Sequence, residues 1–449
     1  MGSVLSPGEP DGSQGVPVTP DANPPAAEQA DTAQPGPRTP AADPARWRRR
    51  RRRILAWGSA SLAVLLVTVL AAGLALLRHF NANIQQDDIR GLLGTQPVKL
   101  HPQAENILVI GSDTRSGQGK GYGTGFVTDQ SDTLMIVHIP ADRKWAEVMS
   151  IPRDSWVNIP SCEMGNGRRS APTQFKINEA FAIGNLDGNH TALGVACTVK
   201  TVEQNTGIYI DHFVVINFAG FKDMVAALGG VEECNPTAID DPKSHLHLSA
   251  GYHMLTPTQA LGYVRARYSL GDGSDLGRIG RQQAFMSSLI SRVKSQLLNP
   301  LAIYRFLDAA TRSLTVDSQL GGITGLYDLG QSLRDVPQEK IAFFTLPNFP
   351  RGEVVQGDTA NVLWTQPEDN QVFASFRDDV PASNSLFAAQ PARHGSTAAG
   401  LSAAAPRASA SHDASPPAAP GATVSPAASA SAAPGTIQAR TANQNICAG

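Results

Sequence analysis

Bulky apolar residues are sparse and aperiodic over the first 45 positions, where Pro, Ala, Gly, Asp and Ser dominate. Such a segment cannot bury enough surface to offset the entropy of ordering it. Residues 1–53 are therefore read as a disordered cytoplasmic segment ending in a basic run, Arg46 and Arg48 to Arg53. The pattern then switches: Ile54 to Leu77 is a stretch of 24 residues without a charge. About 20 apolar residues in a helix cross a hydrocarbon core, whereas a soluble core helix keeps a polar face that this stretch lacks. A cleavable signal has a shorter apolar region and a small-residue cleavage site. Residues 54–77 thus predict a transmembrane signal anchor.

After a stalk at 78–103, short apolar runs begin. Asn106 to Gly111, Leu134 to Ile139 and Ala146 to Ile151 read as neighbouring strands of a well-covered sheet. Thr191 to Asn205 and Phe218 to Leu228 have helical spacing, with the β-rich run Ile208 to Asn217 between them. Thr256-Pro257 predicts a capped helix through Val264, and a longer helix follows from about Arg278 to Leu298. Alternating strands and helices place residues 104–380 in the α/β class. Residues 381–449 return to Ala, Pro and Ser without period and are expected to be a disordered tail.

Charge refines this picture. The totals, 37 Lys+Arg and 39 Asp+Glu, nearly cancel, but the anchor has seven arginines on one side and Arg78 alone on the other. Arginine-rich flanks stay in the cytoplasm, so the expected location is the cell membrane, single-pass, with the C-terminal domain extracytoplasmic. The four cysteines, Cys162, Cys197, Cys234 and Cys447, have no metal-site spacing. An exported domain permits disulfides. Cys162 and Cys197, which flank one irregular segment, are the preferred pair; Cys447 is expected to be unpaired.

Three groups of residues carry candidate chemistry. Gly111-Ser-Asp113-Thr-Arg115 ends one strand and Ser131-Asp132-Thr133 opens the next, bringing two carboxylates to one sheet edge. Carboxylates suit Mg²⁺, a hard ion that keeps positions open for phosphate oxygens; the same Asp and Ser residues also serve as caps. Arg153-Asp154 follows the third strand, with Lys176-Ile-Asn178 beyond an irregular loop. The densest group runs from Tyr263-Val-Arg265-Ala-Arg267 through Asp275, Arg278 and Arg281 to Gln282-Gln283. Within one helix Arg265 and Arg267 would point about 200° apart, so joint service to one ligand requires the helix to end near Arg265. Arginine pairs bidentately with phosphate oxygens and stays charged; a structural network with Asp272 and Asp275 is the alternative. Nucleic acid is not an expected partner, because the arginines lie outside the cell and lack interleaved aromatics.

In order and spacing these motifs, together with Ile210-Asp-His212 and Ala227-Leu-Gly-Gly-Val231, resemble the LytR-CpsA-Psr family of cell-wall glycopolymer ligases from about Asn106 to Phe344. The resemblance implies a three-layer α/β/α sandwich with a central mixed sheet. It also implies a Mg²⁺-dependent enzyme that moves a polyprenyl-diphosphate-linked glycan to the muramic acid C6 hydroxyl of peptidoglycan and releases polyprenyl phosphate. By motif match Asp113 and Asp132 are the metal-associated acids. Asp113, Arg153, Arg265 and Arg267 are the candidate catalytic residues, and Arg115, Lys176, Asp275, Arg278, Arg281 and Gln282 the diphosphate-binding set. The sequence departs from the family pattern in the long glycine-rich loop Ser116 to Thr128 and in Ser161-Cys162 after Ile-Pro, changes that bear on glycan or acceptor specificity. Two rival readings are hydrolysis of the same diphosphate and a non-catalytic wall or lipid-binding module. A transcriptional role conflicts with the expected topology.

Overall fold

The computed structural model describes residues 44–112, 130–165, 167–186, 188–267, 275–296, 299–382, 439–442 and 447. The chain divides into two compact units, Met1–Leu70 and Ala71–Gly449. Helix α1 (Pro44–Asn83) contains the charge-free stretch and is long and apolar enough to cross a membrane; Leu62, Leu66 and Leu70 on it are exposed.

The second unit begins with the last turns of α1, strand β1 (Gln85–Asp87) and the single turn α2 (Arg90–Leu93). Then come β2 (Glu105–Ser112), β3 (Ser131–Ile139) and β4 (Ala146–Ile151), followed by a two-stranded ribbon of β5 (Trp156–Ile159) and β6 (Thr173–Lys176). Helices α3 (Glu179–Gly184) and α4 (Thr191–Thr206) precede β7 (His212–Asn217) and α5 (Phe218–Ala227). Strands β8 (Val231–Asn235), β9 (Ile239–Asp241), β10 (Leu246–Leu248) and β11 (Gly251–Leu255) form two antiparallel pairs, β8 with β11 and β9 with β10. Helices α6 (Pro257–Arg265), α7 (Asp275–Gln296) and α8 (Pro300–Ser313) lead to β12 (Leu314–Asp317) and α9 (Gly322–Ser332). Last come β13 (Ile341–Thr345), the pair β14 (Asn348–Pro350) and β15 (Val362–Trp364), α10 (Glu368–Arg377) and β16 (Ala439–Thr441).

The main sheet is mixed, with strand order β1-β12-β7-β2-β3-β4-β13-β16. Side chains alternate across it as the strand period requires. Leu108, Ile110, Leu134 and Ile136 point to one side, where they pack with Phe181, Val195, Val199 and Phe373 of α3, α4 and α10. Val109, Met135 and Val137 point to the other, against Met286 and Ile290 of α7 and Leu333. On that side Phe80 and Ile84 also pack with Val316 and Ile323. The result is the expected three-layer arrangement, with both sheet faces buried.

Local chemistry sets the helix ends that position the site. Thr256 Oγ1 accepts from Gln259 N while the Gln259 side chain accepts from Thr256 N, a reciprocal cap that starts α6 with Pro257 in its first turn. The helix ends at Arg265, and Ala266 turns out of it at ψ 135°. Asp241, itself buried, accepts from Arg267 N at 2.7 Å and fixes the segment that leaves the helix.

Two expectations about the C-terminus are corrected. Residues 381–449 do not remain without structure throughout, because β16 pairs antiparallel with β13. Strand β13 would otherwise present an open row of backbone donors and acceptors, and three extended residues suffice to cover it. Cys447 is bonded to Cys234 rather than unpaired. The preferred pair Cys162–Cys197 is joined, with a sequence separation of 35.

Candidate active site

The charged groups meet where β3 begins and β4 ends. The β2–β3 ladder runs in register to Gly111↔Thr133 and then steps to Ser112↔Ser131, so Asp132 is the extra residue of a bulge. Bulges re-aim a side chain at a sheet end, and Arg153 Nη1 donates to Asp132 Oδ1 at 2.5 Å. Pro152 stops the ladder after β4 and frees Arg153 to turn inward. Next to it Asp154 accepts from Lys176 Nζ at 2.9 Å and lies 3.7 Å from Arg153 Nε.

Helix α7 closes this edge with one face. Arg278, only 4% exposed, donates from Nη2 to the Asp132 carbonyl at 3.4 Å. One turn on, Gln282 Nε2 donates to Thr133 Oγ1 at 3.0 Å and to the Val264 carbonyl at 3.2 Å, tying β3 to the end of α6. Gln283 reaches Ser150 Oγ at 3.1 Å and Thr345 Oγ1 at 3.3 Å, tying in β4 and β13. Arg281 donates to the Ala266 carbonyl, and its Nε is buried without a hydrogen-bond partner among the described residues. Burial pulls the Arg281 guanidinium below its ordinary value, opposed by Tyr263 and Asp241. Arg265 stacks over the Phe218 ring at 4.7 Å.

Sequence reasoning placed Asp132, Arg153, Lys176, Arg265, Arg267, Arg278, Arg281 and Gln282 in one site, and these residues gather around the β3 and β4 ends and the α6–α7 connection. Asp113 and Arg115 lie outside the described residues, and of Asp275 only the backbone, as the first residue of α7, is described. Two contributors had no role assigned from sequence. Asp154, named there beside Arg153, orders both Arg153 and Lys176. Glu179 accepts from Gln130, and burial lifts its carboxyl above the ordinary range against the hydrogen bond from Gln130 and the charge of Lys176.

The Ile210-Asp-His212 motif lies elsewhere, beside a cavity of about 190 Å³ lined in part by Asp87, Arg90, Asp211 and Asp317. Asp211 accepts from Asn106 N and from Lys99, and His212 Nδ1 lies 2.9 Å from Asp317. Glu203 accepts from Ile210 N at 3.0 Å, yet burial, the largest influence, raises its pKa from 4.5 to about 7. Because the folded value exceeds the unfolded one, the folded state holds the extra proton, and stability falls as pH rises from 4.5 through about 7. His212 acts in the same direction. Burial lowers its pKa, but the hydrogen bond and charge of Asp317 outweigh this, so its contribution is complete below 6.5 and is lost as pH rises through the raised folded value. Glu203→Gln is therefore expected to raise stability at about pH 8 by on the order of 2 kcal/mol and to flatten the fall between pH 4.5 and about 7, measured by urea unfolding across pH. An unchanged profile would refute the assignment to Glu203.

Comparison with known proteins decides the family. A family model described as the LytR_cpsA_psr family matches residues 80–374. The chain belongs to the LytR-CpsA-Psr family. Among its relatives, the probable cell wall biosynthesis protein LcpB of Corynebacterium glutamicum is 32% identical over 340 residues, 73% of this chain and 74% of that one. TagT of Bacillus subtilis, named a polyisoprenyl-teichoic acid–peptidoglycan teichoic acid transferase, is 30% identical over 306 residues, 64% of this chain and 86% of its own. The solved LytR-Csp2A-Psr enzyme from Actinomyces oris has the same fold, with a TM-score of 0.50 at 22% identity over 67% of this chain and 97% of that chain.

Proposed function

We propose that this LytR-CpsA-Psr member transfers a polyprenyl-diphosphate-linked glycopolymer to the muramic acid C6 hydroxyl of peptidoglycan. The hydroxyl oxygen bonds to the sugar-side phosphorus, the bond to the bridging oxygen breaks, and polyprenyl phosphate leaves with net release of one proton. The observation that carries this reading is the convergence of Arg153, Arg278 and Gln282 on Asp132 and Thr133 at the start of β3, with Lys176 joined through Asp154 and Arg281 through the Ala266 carbonyl beside the α6 terminus that carries Arg265. In phosphoryl transfer little covalent work falls to the protein, and alignment with charge neutralisation does most of it. Arginine forks suit both tasks. The transferase name of TagT supports the same reaction class.

Mg²⁺ is the proposed cofactor, which Asp132 and, by motif match, Asp113 would hold. The donors at this edge are oxygens, and Ser131 Oγ and Asn178 Oδ1 are buried there without a partner among the described residues; such a set suits a hard cation. The bound ion would neutralise charge on the diphosphate. The chain's own arginines orient the phosphates and hold the leaving group. The arginine run in the first turns of α1 supports a cytoplasmic N-terminus and an extracytoplasmic site.

The test incubates the full chain in detergent micelles with a polyprenyl-diphosphate-linked sugar and peptidoglycan strands, with and without Mg²⁺, followed by mass spectrometry. A phosphodiester-linked glycan on muramic acid together with polyprenyl phosphate is the expected product. Free sugar phosphate without adduct would make the chain a diphosphate hydrolase, and no turnover by folded protein that retains the lipid would make it a binding module.

A further inference from the structure

Beside the charged edge lies a groove of about 490 Å³ between the β5–β6 ribbon and the segment that follows β15. That size lies within the range of small-molecule sites, about 300–1,000 Å³. Its walls are aromatic and amide-bearing: Trp156, Asn158 and Gln174 on the ribbon, Trp364, Thr365 and Gln366 opposite. The ribbon register pairs Trp156 with Lys176 and Asn158 with Gln174. Directly opposed residues share a face, as do alternate residues of one strand. One face therefore runs from Lys176, which is paired with Asp154, through Trp156 to Asn158 and Gln174, leading away from the cationic site.

The aromatic rings are held in place before any ligand arrives. Trp364 Nε1 donates to Ser155 Oγ at 2.9 Å, and its ring packs edge-on against Phe373. Trp156 has Arg351 over it at 4.3 Å and Phe175 beside it. Asn158 and Gln174 are exposed, and Thr365 Oγ1 is buried without a partner among the described residues. Fixed aromatic surface flanked by amides and a hydroxyl matches the alternating C–H faces and hydroxyl or acetamido edges of a sugar chain. A polyprenyl tail would leave those amides unsatisfied, and the lining residues include Asp369 but no Arg or Lys, while the Arg351 guanidinium over Trp156 is already paired with Asp358, so a phosphate is the poorer match.

We propose that this groove binds an oligosaccharide segment and guides it to the reacting phosphates. The segment is either the acceptor glycan strand or the sugars of the donor polymer. The inference deepens the transferase reading and rests on it for its place in turnover, though not for binding. The experiment titrates the full chain in micelles with a tetramer of β-1,4-linked N-acetylglucosamine, followed by tryptophan fluorescence, and then measures both KM values. Gln174→Ala with Thr365→Val removes side chains that no described residue uses and is expected to weaken tetramer binding about tenfold or more, with an unchanged thermal melt. In turnover a matching rise in KM for peptidoglycan strands, with kcat and the donor KM unchanged, assigns the groove to the acceptor. A rise in the donor KM alone assigns it to the donor's sugars. Failure of the wild type to bind the tetramer, or a double variant with unchanged tetramer affinity and both KM values unchanged, overturns the groove. Tetramer binding that responds to the substitutions without any transfer leaves the groove standing and removes the transferase reading.

Discussion

Arg153→Ala is expected to lower single-turnover release of polyprenyl phosphate by about 10²–10³-fold, the usual cost of removing one preorganised charge partner from a transition state. Two losses combine in that number. The guanidinium would no longer reach the phosphate oxygens, and Asp132, whose carboxylate it engages at 2.5 Å, would lose the partner that positions it. Arg153→Lys restores the charge without the planar fork and should recover only part of the rate. Stability should change little, about 1 kcal/mol or less, because Arg153 and Asp132 remain 20% and 22% exposed and solvent screens such a pair. Rapid-quench release assays beside urea unfolding separate the two effects. A rate within about threefold of wild type would remove Arg153 from the chemistry and leave it as a support for the β3 terminus.

The arginines were legible because their constraint is local. Two arginines in adjacent alternate positions can serve one ligand only if the helix stops, and α6 does stop at Arg265. The membrane-length apolar stretch and the β2, β3 and β4 runs were legible for the same reason, since each carries its own period. What escaped depends on partners far away in the chain. The bulge that re-aims Asp132 is a property of the β2–β3 register, not of Ser-Asp-Thr. Strand β16 and the Cys234–Cys447 bond exist only because distant residues return to the sheet edge and to β8, and no composition argument reveals that return. The groove residues Trp156 and Trp364 are separated by more than two hundred positions and carry no motif. The start of α7 at Asp275 rather than near Arg278 is a smaller error, arising because Gly277 weakens the helical signal there.

Removing the Cys162–Cys197 bond by double alanine substitution is expected to cost about 3–4 kcal/mol of unfolding free energy, the chain-entropy value for a loop of this size. Both residues are only 1% exposed and sit in the main core cluster with Ile159 and Val199, so the bond joins the end of β5 to α4 inside packed surroundings. Neighbouring contacts reinforce the join, with Ser170 N donating to the Cys162 carbonyl at 2.8 Å and Lys200 Nζ to the Ser161 carbonyl at 2.7 Å. The loop so closed starts just after β5 and runs through β6 and α3 into α4, so it contains the ribbon strand that ends at Lys176 and pairs with Trp156. Loosening it should raise KM before it lowers kcat, since Arg153, Arg278 and Arg281 stay anchored by contacts outside this loop. With Cys234 and Cys447 both replaced by alanine, reductant should move the urea midpoint of the chain that keeps Cys162 and Cys197 toward that of the chain lacking all four cysteines, and leave the latter in place. A loss below about 1 kcal/mol would mean that the packing around Ile159 and Val199, rather than the covalent bond, holds the ribbon to the domain.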